Sequence, residues 1–292
     1  MPVGCLVACL GDLMLDVIVD SPTGLVVDDD TPARISLTAG GQAANVAAWV
    51  GALGGRARIY GPRSRTDTGR LVEHALARHR VEVHGPFTDH TGTVLSLVTG
   101  ASRALASDAG DSGWLREVTG EGWVGGADWL FVSGYALLRS PEPERILAVA
   151  AAARAAGSRV AVDLASASMI EAYGAPEFRR LWRALRPSVV FAGDAEWEAT
   201  HDDRHRATSA DSFGTGGTSV LVLKHGADGS TFVIDGIGDH RAPLPGPVRD
   251  VTGAGDALAA GYLVGGIDLA MQTAARCVAE VGAQPPAEDG VT

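Results

Sequence analysis

Hydrophobic positions along this chain fall in short unbroken runs, separated by longer stretches where they recur every three or four residues. Val3 to Leu10 is nearly all apolar and is closed by Gly11-Asp12, the pattern of a buried strand. Met14 to Val19 forms a second extended run, followed by an acidic, polar stretch from Ser21 to Arg34 that holds Pro22 and Pro32. Asn45 to Leu53 predicts a helix and Ala57 to Tyr60 a return to strand. Thr68 to Arg80 predicts an amphipathic helix with Leu71, Ala75 and Leu76 on one side. Val94–Val98 and Ser102–Ala106 are short strands about the turn Thr99-Gly100-Ala101. Trp129–Val132, Val160–Val162, Val189–Phe191 and Val220–Leu223 follow as apolar strands, with helices at Ile146–Ala156 and Pro176–Leu185 between the first three.

Strands alternating with helices predict an α/β fold, a mostly parallel central sheet covered by helices on both faces. The early strands, roughly 13–38 and 93–107, break that rhythm and predict a small separate β sheet acting as a lid. The 292 residues show no internal repeat and no low-complexity linker, so one domain over 1–292 is expected. A net charge of −11 argues against nucleic acid as a partner. No apolar run is long enough to span a membrane, and the start of the chain lacks the basic region of a signal peptide, so a cytoplasmic protein is expected. The three cysteines, Cys5, Cys9 and Cys277, predict buried thiols rather than a disulfide framework or zinc site.

The candidate chemistry concentrates in two glycine-rich segments. In Asp250-Val-Thr-Gly-Ala-Gly-Asp256, featureless residues precede a carboxylate and a helix. The first amides of a helix have no partner inside it, and with the helix dipole they attract anions. A carboxylate there makes sense as a group that takes a proton. Two familiar nucleotide signatures fail: the P-loop needs Gly-Lys-Ser/Thr, but Lys224 is the only lysine and precedes His225. The dinucleotide fingerprint fails because Leu258 stands where its last glycine should be. The second segment, Ala39 to Trp49, places Gly40-Gly41 before Asn45; its plain interpretation is a turn with a helix cap. Asp16 is an acid inside an apolar strand, either solvent-facing or an acceptor for polyol hydroxyls.

Together and in this order, Asp16, Gly40-Gly41-x-x-x-Asn45 and Asp250-x-Thr252-Gly253-Ala254-Gly255-Asp256 resemble the ribokinase-like (PfkB-type) family of sugar and nucleoside kinases. The resemblance runs from about Val3 to Gln284, with further landmarks at Thr91-Gly92, Ser133-Gly134-Tyr135, Asp163 and Lys224 to Gly229. It implies a ribokinase-like fold in which a β lid covers the sugar site. It also implies ATP-dependent phosphorylation of a primary hydroxyl. Asp256 would be the base, and Gly253, Ala254 and Gly255 the anion hole. Asp16, Gly40, Gly41 and Asn45 would bind the acceptor. Lys224, Gly226, Thr252, Gly253 and Gly255 would bind the nucleotide. Glu196 would organise Mg2+ through water, and a lid-mediated homodimer is allowed.

Three departures accompany the resemblance. Gly193 stands where the family pattern before Glu196 has Asn, and Asp194 is the candidate to compensate. A monovalent-cation site would lie near Asp250, Thr252 and Gly282, but Pro286 replaces a frequent serine, which argues against a K+ requirement. The segment after Asp256 is short and predicts trimmed helices. His90 and Arg103 are weighed as solvated charges. A sugar phosphate is disfavoured as acceptor because no basic cluster accompanies the early motifs. The alternative function is a non-catalytic nucleotide- or sugar-binding regulator; a nicotinamide oxidoreductase is disfavoured by the failed fingerprint.

Overall fold

The computed structural model of the chain describes residues 4–99, 102–200 and 220–286. In chain order its elements begin with β1 (Leu6–Leu10), β2 (Met14–Asp20), β3 (Arg34–Gly40), α1 (Gln42–Ala52), β4 (Arg56–Tyr60) and β5 (Arg63–Ser64). Next come α2 (Asp67–Ala77), β6 (Val81–His84), β7 (Phe87–Thr88), β8 (Gly92–Thr99), β9 (Ser102–Asp108), β10 (Trp129–Ser133), α3 (Gly134–Arg139) and α4 (Pro143–Ala155). Then follow β11 (Arg159–Asp163), α5 (Ala167–Tyr173), α6 (Ala175–Ala184), β12 (Val189–Gly193) and α7 (Asp194–Ala199). The chain closes with β13 (Val220–Lys224), β14 (Ser230–Ile234), β15 (Ile237–Arg241), α8 (Ala254–Gly265) and α9 (Ile267–Val278).

Nine strands form the central sheet in the order β15-β14-β13-β12-β11-β10-β1-β4-β6. The seven from β13 to β6 run parallel, and β14 and β15 add an antiparallel edge. β1 shows why its residues form a central strand. Val7 and Cys9 point into one apolar layer with α1 and α8, while Leu6, Ala8 and Leu10 point into the other with α3 and α4. A strand buried on both faces must be apolar throughout. Chain order reverses at β1, so its carboxyl end and those of β10 to β13 open onto the crevice where ligands of such sheets sit.

The early strands form a second sheet, β3-β2-β8-β9. Alternation puts Asp16 and Ile18 on one face with Thr38, Ser96 and Arg103, and Val17 on the other with Leu37 and Leu95. The Gly100-Ala101 part of the expected turn lies outside the described residues. The amphipathic helix ends at Ala77 rather than Arg80, which takes a left-handed φ of 58°. Its buried residues are Gly69, Val72 and Leu76, and Leu71 and Ala75 pack half-buried against the same core, so Val72 joins the expected stripe. The three cysteines are free, with Cys9 and Cys277 buried and Cys5 half-buried. Among the described residues no helix is long and apolar enough to cross a membrane.

The expected trimming after Asp256 is corrected: α8 and α9 are 12 residues each, of ordinary length. They cross closely at Gly261, where a Cβ would lie 2.6 Å from the Leu269 carbonyl oxygen. Gly261→Ala is expected to lower unfolding free energy by about 1–3 kcal/mol through overpacking, read from denaturant midpoints; unchanged midpoints would show that the helices separate freely.

Candidate functional site

Asp16 enters from β2, and the glycines after β3 make room for it. A Cβ on Gly40 would lie 1.9 Å from Asp16 Oδ1. Gly41 holds φ at 95° and serves as the N-cap of α1, and a Cβ there would lie 2.4 Å from the Asp12 carbonyl oxygen. Asp12 is itself buried and ion-paired with Arg139 Nη1 at 3.0 Å. The other terminal nitrogen of Arg139 donates to the carbonyls of Ala109 and Gly110. Asp16 is not solvent-facing: only 8% of it is exposed. Burial raises its pKa to about 7, against the pull of the Arg103 charge.

The interpretation of Asn45 as a cap is corrected. Because α1 begins at Gln42, Asn45 lies inside the helix, buried, and its side chain reaches across the molecule. Its Nδ2 donates to Asp256 Oδ2 at 2.8 Å, and its Oδ1 accepts from Gln284 Nε2 at 2.6 Å.

Asp250 braces the glycine-rich loop. Its Oδ1 accepts from the amide and hydroxyl of Thr252 at 2.9 and 2.5 Å, and its Oδ2 accepts from the Gly282 amide at 2.8 Å. Gly253 is left-handed, with φ 73°, and a Cβ there would lie 2.5 Å from the Ala283 methyl. Only glycine meets both demands. Ala254 begins α8, and its amide leans on the Val251 carbonyl at a long 3.3 Å. Lys224, at the end of β13, lays its ammonium beside Gly255, where a Cβ would lie 3.2 Å from Nζ. The same ammonium donates to the fully buried Asp163 at 2.7 Å. Burial works to lower the Lys224 pKa, but Asp163, Glu196 and Asp256 outweigh it and hold the amine protonated.

Asp256 occupies the first turn of α8 with its pKa raised to about 7. Desolvation is the main cause; the Asn45 hydrogen bond and Lys224 oppose it, and Asp163 and Asp16 reinforce it. Glu196 accepts from the Gly193 amide, and its pKa is raised by burial and by Asp163 against the pull of Lys224. Asp194 is exposed and pairs with His225 Nδ1 at 2.7 Å. Gly226, at φ 57°, opens the turn after β13, and a Cβ there would meet nothing within 4 Å.

The bare loop, the adjacent ammonium and the helix start suit a phosphate chain. Glu196 is a half-buried acid whose charge a cation would relieve. Among the described residues no group of three or more His, Cys, Asp or Glu side chains is arranged to hold a metal. Asp16, Asn45, Lys224, Gly255 and Asp256 are thus brought together, while Gly226 lies at the open end and Asp250 acts as a brace. Arg103 is exposed, as a solvated charge would be, and in addition its Nη1 donates to Thr252 Oγ1 at 2.6 Å and its charge acts on Asp16. His90 pairs with the exposed Asp108. Sequence reasoning missed Arg139 and Gln284 and left Asp163 a landmark; for Asp163 the signal was an acid closing an apolar strand.

A model of the pfkB family carbohydrate kinases matches residues 6–285. The chain is 29% identical over 276 residues to the bifunctional protein HldE of Rhodopseudomonas palustris, covering 87% of this chain and 54% of that protein. It therefore spans about half the length of that relative. It is 28% identical over 250 residues to the ATP-dependent ribose-1-phosphate kinase of Halopiger xanaduensis, covering 82% of this chain and 78% of that one. The adenosine kinase of Sinorhizobium meliloti superposes with a TM-score of 0.80 at 23% identity, over 96% of this chain and 95% of that structure. This likeness shows the ribokinase-like fold.

The raised pKa of Asp16 has a stability consequence. Between the unfolded value near 4 and the folded value of about 7, the native state holds the extra proton, so stability falls as pH rises. Asp16→Asn is expected to melt higher than the parent at pH 8, with the gap closing toward pH 4. Thermal scans across that range check it; a gap independent of pH would contradict the burial argument.

Proposed function

The chain belongs to the pfkB family of carbohydrate kinases, and on that premise we propose that it transfers the γ-phosphoryl group of ATP to the primary hydroxyl of a sugar or nucleoside. The observation that carries this reading is Asp256, a carboxylate with its pKa near 7 in the first turn of α8, beside glycine amides and one ammonium. A site built only to hold phosphate has no use for that negative charge. As the acceptor oxygen bonds to phosphorus and the bond to the bridging oxygen breaks, Asp256 takes the hydroxyl proton, and ADP leaves. The amides of Gly253, Ala254 and Gly255 receive the charge on the transferred group. Asp16, Gly40, Gly41 and Asn45 line the acceptor side; Lys224, Gly226 and Thr252 lie along the nucleotide. Glu196 would hold Mg2+ through water, and the ion would supply charge neutralisation on the phosphates.

A phosphorylated sugar is a second reading of the acceptor. Arg103 supports it, a cation on the inner face of the small sheet beside Asp16 and Thr252. The name of the Halopiger relative, a ribose-1-phosphate kinase, runs the same way. A regulator without catalysis is disfavoured, since binding alone needs no base.

We also propose that the small sheet closes over the acceptor and joins two copies of the chain. Ile35, Leu37 and Leu95 on its outer face are 64%, 51% and 39% exposed, the setting of an interface rather than of an isolated surface. Leu37→Asp with Leu95→Asp is expected to convert a dimer to a monomer in sedimentation; a parent that sediments as a monomer would refute the pairing.

ADP release across a panel of pentoses, hexoses, sugar phosphates and nucleosides tests the activity and separates the two acceptors. In the same assay, Asp256→Asn is expected to keep the fold and ATP-analogue binding yet lose about 10²–10⁴-fold in kcat. Turnover within a few-fold of the parent would remove Asp256 as the base.

A further inference from the structure

Three side chains form a line of hydrogen bonds that ends on the proposed base. Gln284 Nε2 donates to Asn45 Oδ1 at 2.6 Å, and Asn45 Nδ2 donates to Asp256 Oδ2 at 2.8 Å. An amide has one donating and one accepting end, so what Gln284 offers decides which end Asn45 turns to Asp256. An ionised carboxylate only accepts, so it is satisfied only if Asn45 presents its nitrogen. Asn45 does so at no cost only if another donor meets its oxygen.

Gln284 is held where it can be that donor. The Gly282 amide is tied to Asp250 at 2.8 Å, and the Ala283 carbonyl accepts from the buried Trp49 indole at 2.9 Å. Two backbone anchors in consecutive residues therefore fix the segment that carries the Gln284 side chain. Its Oε1 is buried without a partner. A buried amide oxygen left bare is expensive, and a side chain kept there for packing alone would be apolar.

We propose that Gln284 is a positioning residue for phosphoryl transfer: by donating to Asn45 it fixes the polarity of the Asn45 amide, so that Asp256 is met by a donor and is held as a carboxylate ready to take the acceptor's proton. This rests on the reading of Asp256 as the base. The other groups that act on Asp256 are Lys224 from β13, which favours its charged form, and Asp163 from β11 and Asp16 from β2, which oppose it. Tyr135 on α3 and Cys277 on α9 also feel its charge, both with their own pKa raised mainly by burial. None of these changes when Gln284 is replaced.

The test compares Gln284→Met, which keeps the length and removes both hydrogen-bonding ends of the amide, with Gln284→Glu, which once ionised can only accept and so calls for the nitrogen of Asn45. kcat is followed from pH 5 to 9 at saturating Mg-ATP and acceptor, beside the parent and Asp256→Asn. Loss of a hydrogen bond to a charged acceptor is expected to move the acid limb of the profile upward by about one pH unit or more. The shift should be larger for Gln284→Glu than for Gln284→Met. A shift in Gln284→Met cannot come from added charge, which separates polarity from simple repulsion. If Gln284 only packs, melting temperature or overall kcat falls while the limb stays with the parent's, and either folded variant behaving so overturns the proposal. Should Asp256→Asn turn over like the parent, the base assignment fails first and the relay with it. Should Asp256→Asn be inactive and the limbs superimpose, the relay alone fails.

Discussion

The proposed chemistry depends on keeping a carboxylate charged at a helix start, where the same proposal brings an anion. Asp256 lies at the start of α8, a place that attracts negative charge, yet burial drives its pKa to about 7. Two groups oppose that shift, the Asn45 amide and the Lys224 ammonium, and each is held by a partner of its own: Gln284 for the amide, Asp163 for the ammonium. The fold therefore brings α1, β11, β13 and the segment after α9 to one point. A parallel sheet does this economically, since the carboxyl ends of its strands all open on one side.

The same constraint accounts for the glycines. Gly40 leaves room for the Asp16 carboxylate, Gly253 for Ala283, and Gly255 for the Lys224 stem. Gly40 and Gly255 sit where a charged side chain approaches the backbone and Gly253 where the Ala283 methyl and backbone do, and one added methyl would crowd each. Asp250 serves the same end by occupying both carboxylate oxygens within the loop and its neighbour, Gly282. Its role as a brace is visible without any cation.

How much of this was legible in the sequence follows from how far apart the partners lie. The alternation of strand and helix, the irregular early strands and the two glycine-rich segments are local patterns, and the folded chain carries the corresponding elements. What stayed hidden are partnerships across great separations: Arg103 with Thr252, 149 residues on, Arg139 with Asp12, 127 back, and Gln284 with Asn45, 239 back. No periodicity records such a pair. An arginine after a turn has the same local pattern whether it meets water or a threonine hydroxyl. Asn45 was misjudged for a related reason: it resembles a cap because it follows glycines, but the left-handed Gly41 starts the helix earlier and frees the amide for Asp256.

Arg103 extends the reasoning from the base to the small sheet. Its guanidinium donates to Thr252, whose hydroxyl in turn donates to Asp250, so one side chain of β9 is joined to the brace of the glycine-rich loop. The same charge draws down the pKa of Asp16 on β2. One cation thus acts on the Asp16 carboxylate and the glycine-rich loop together. On the proposed function a phosphate would come beside Thr252 and would attract this exposed guanidinium, by an amount that solvent screening keeps small. For the proposed reaction, covering the acceptor side matters, since water admitted beside Asp256 would compete with the acceptor hydroxyl for the same phosphoryl group.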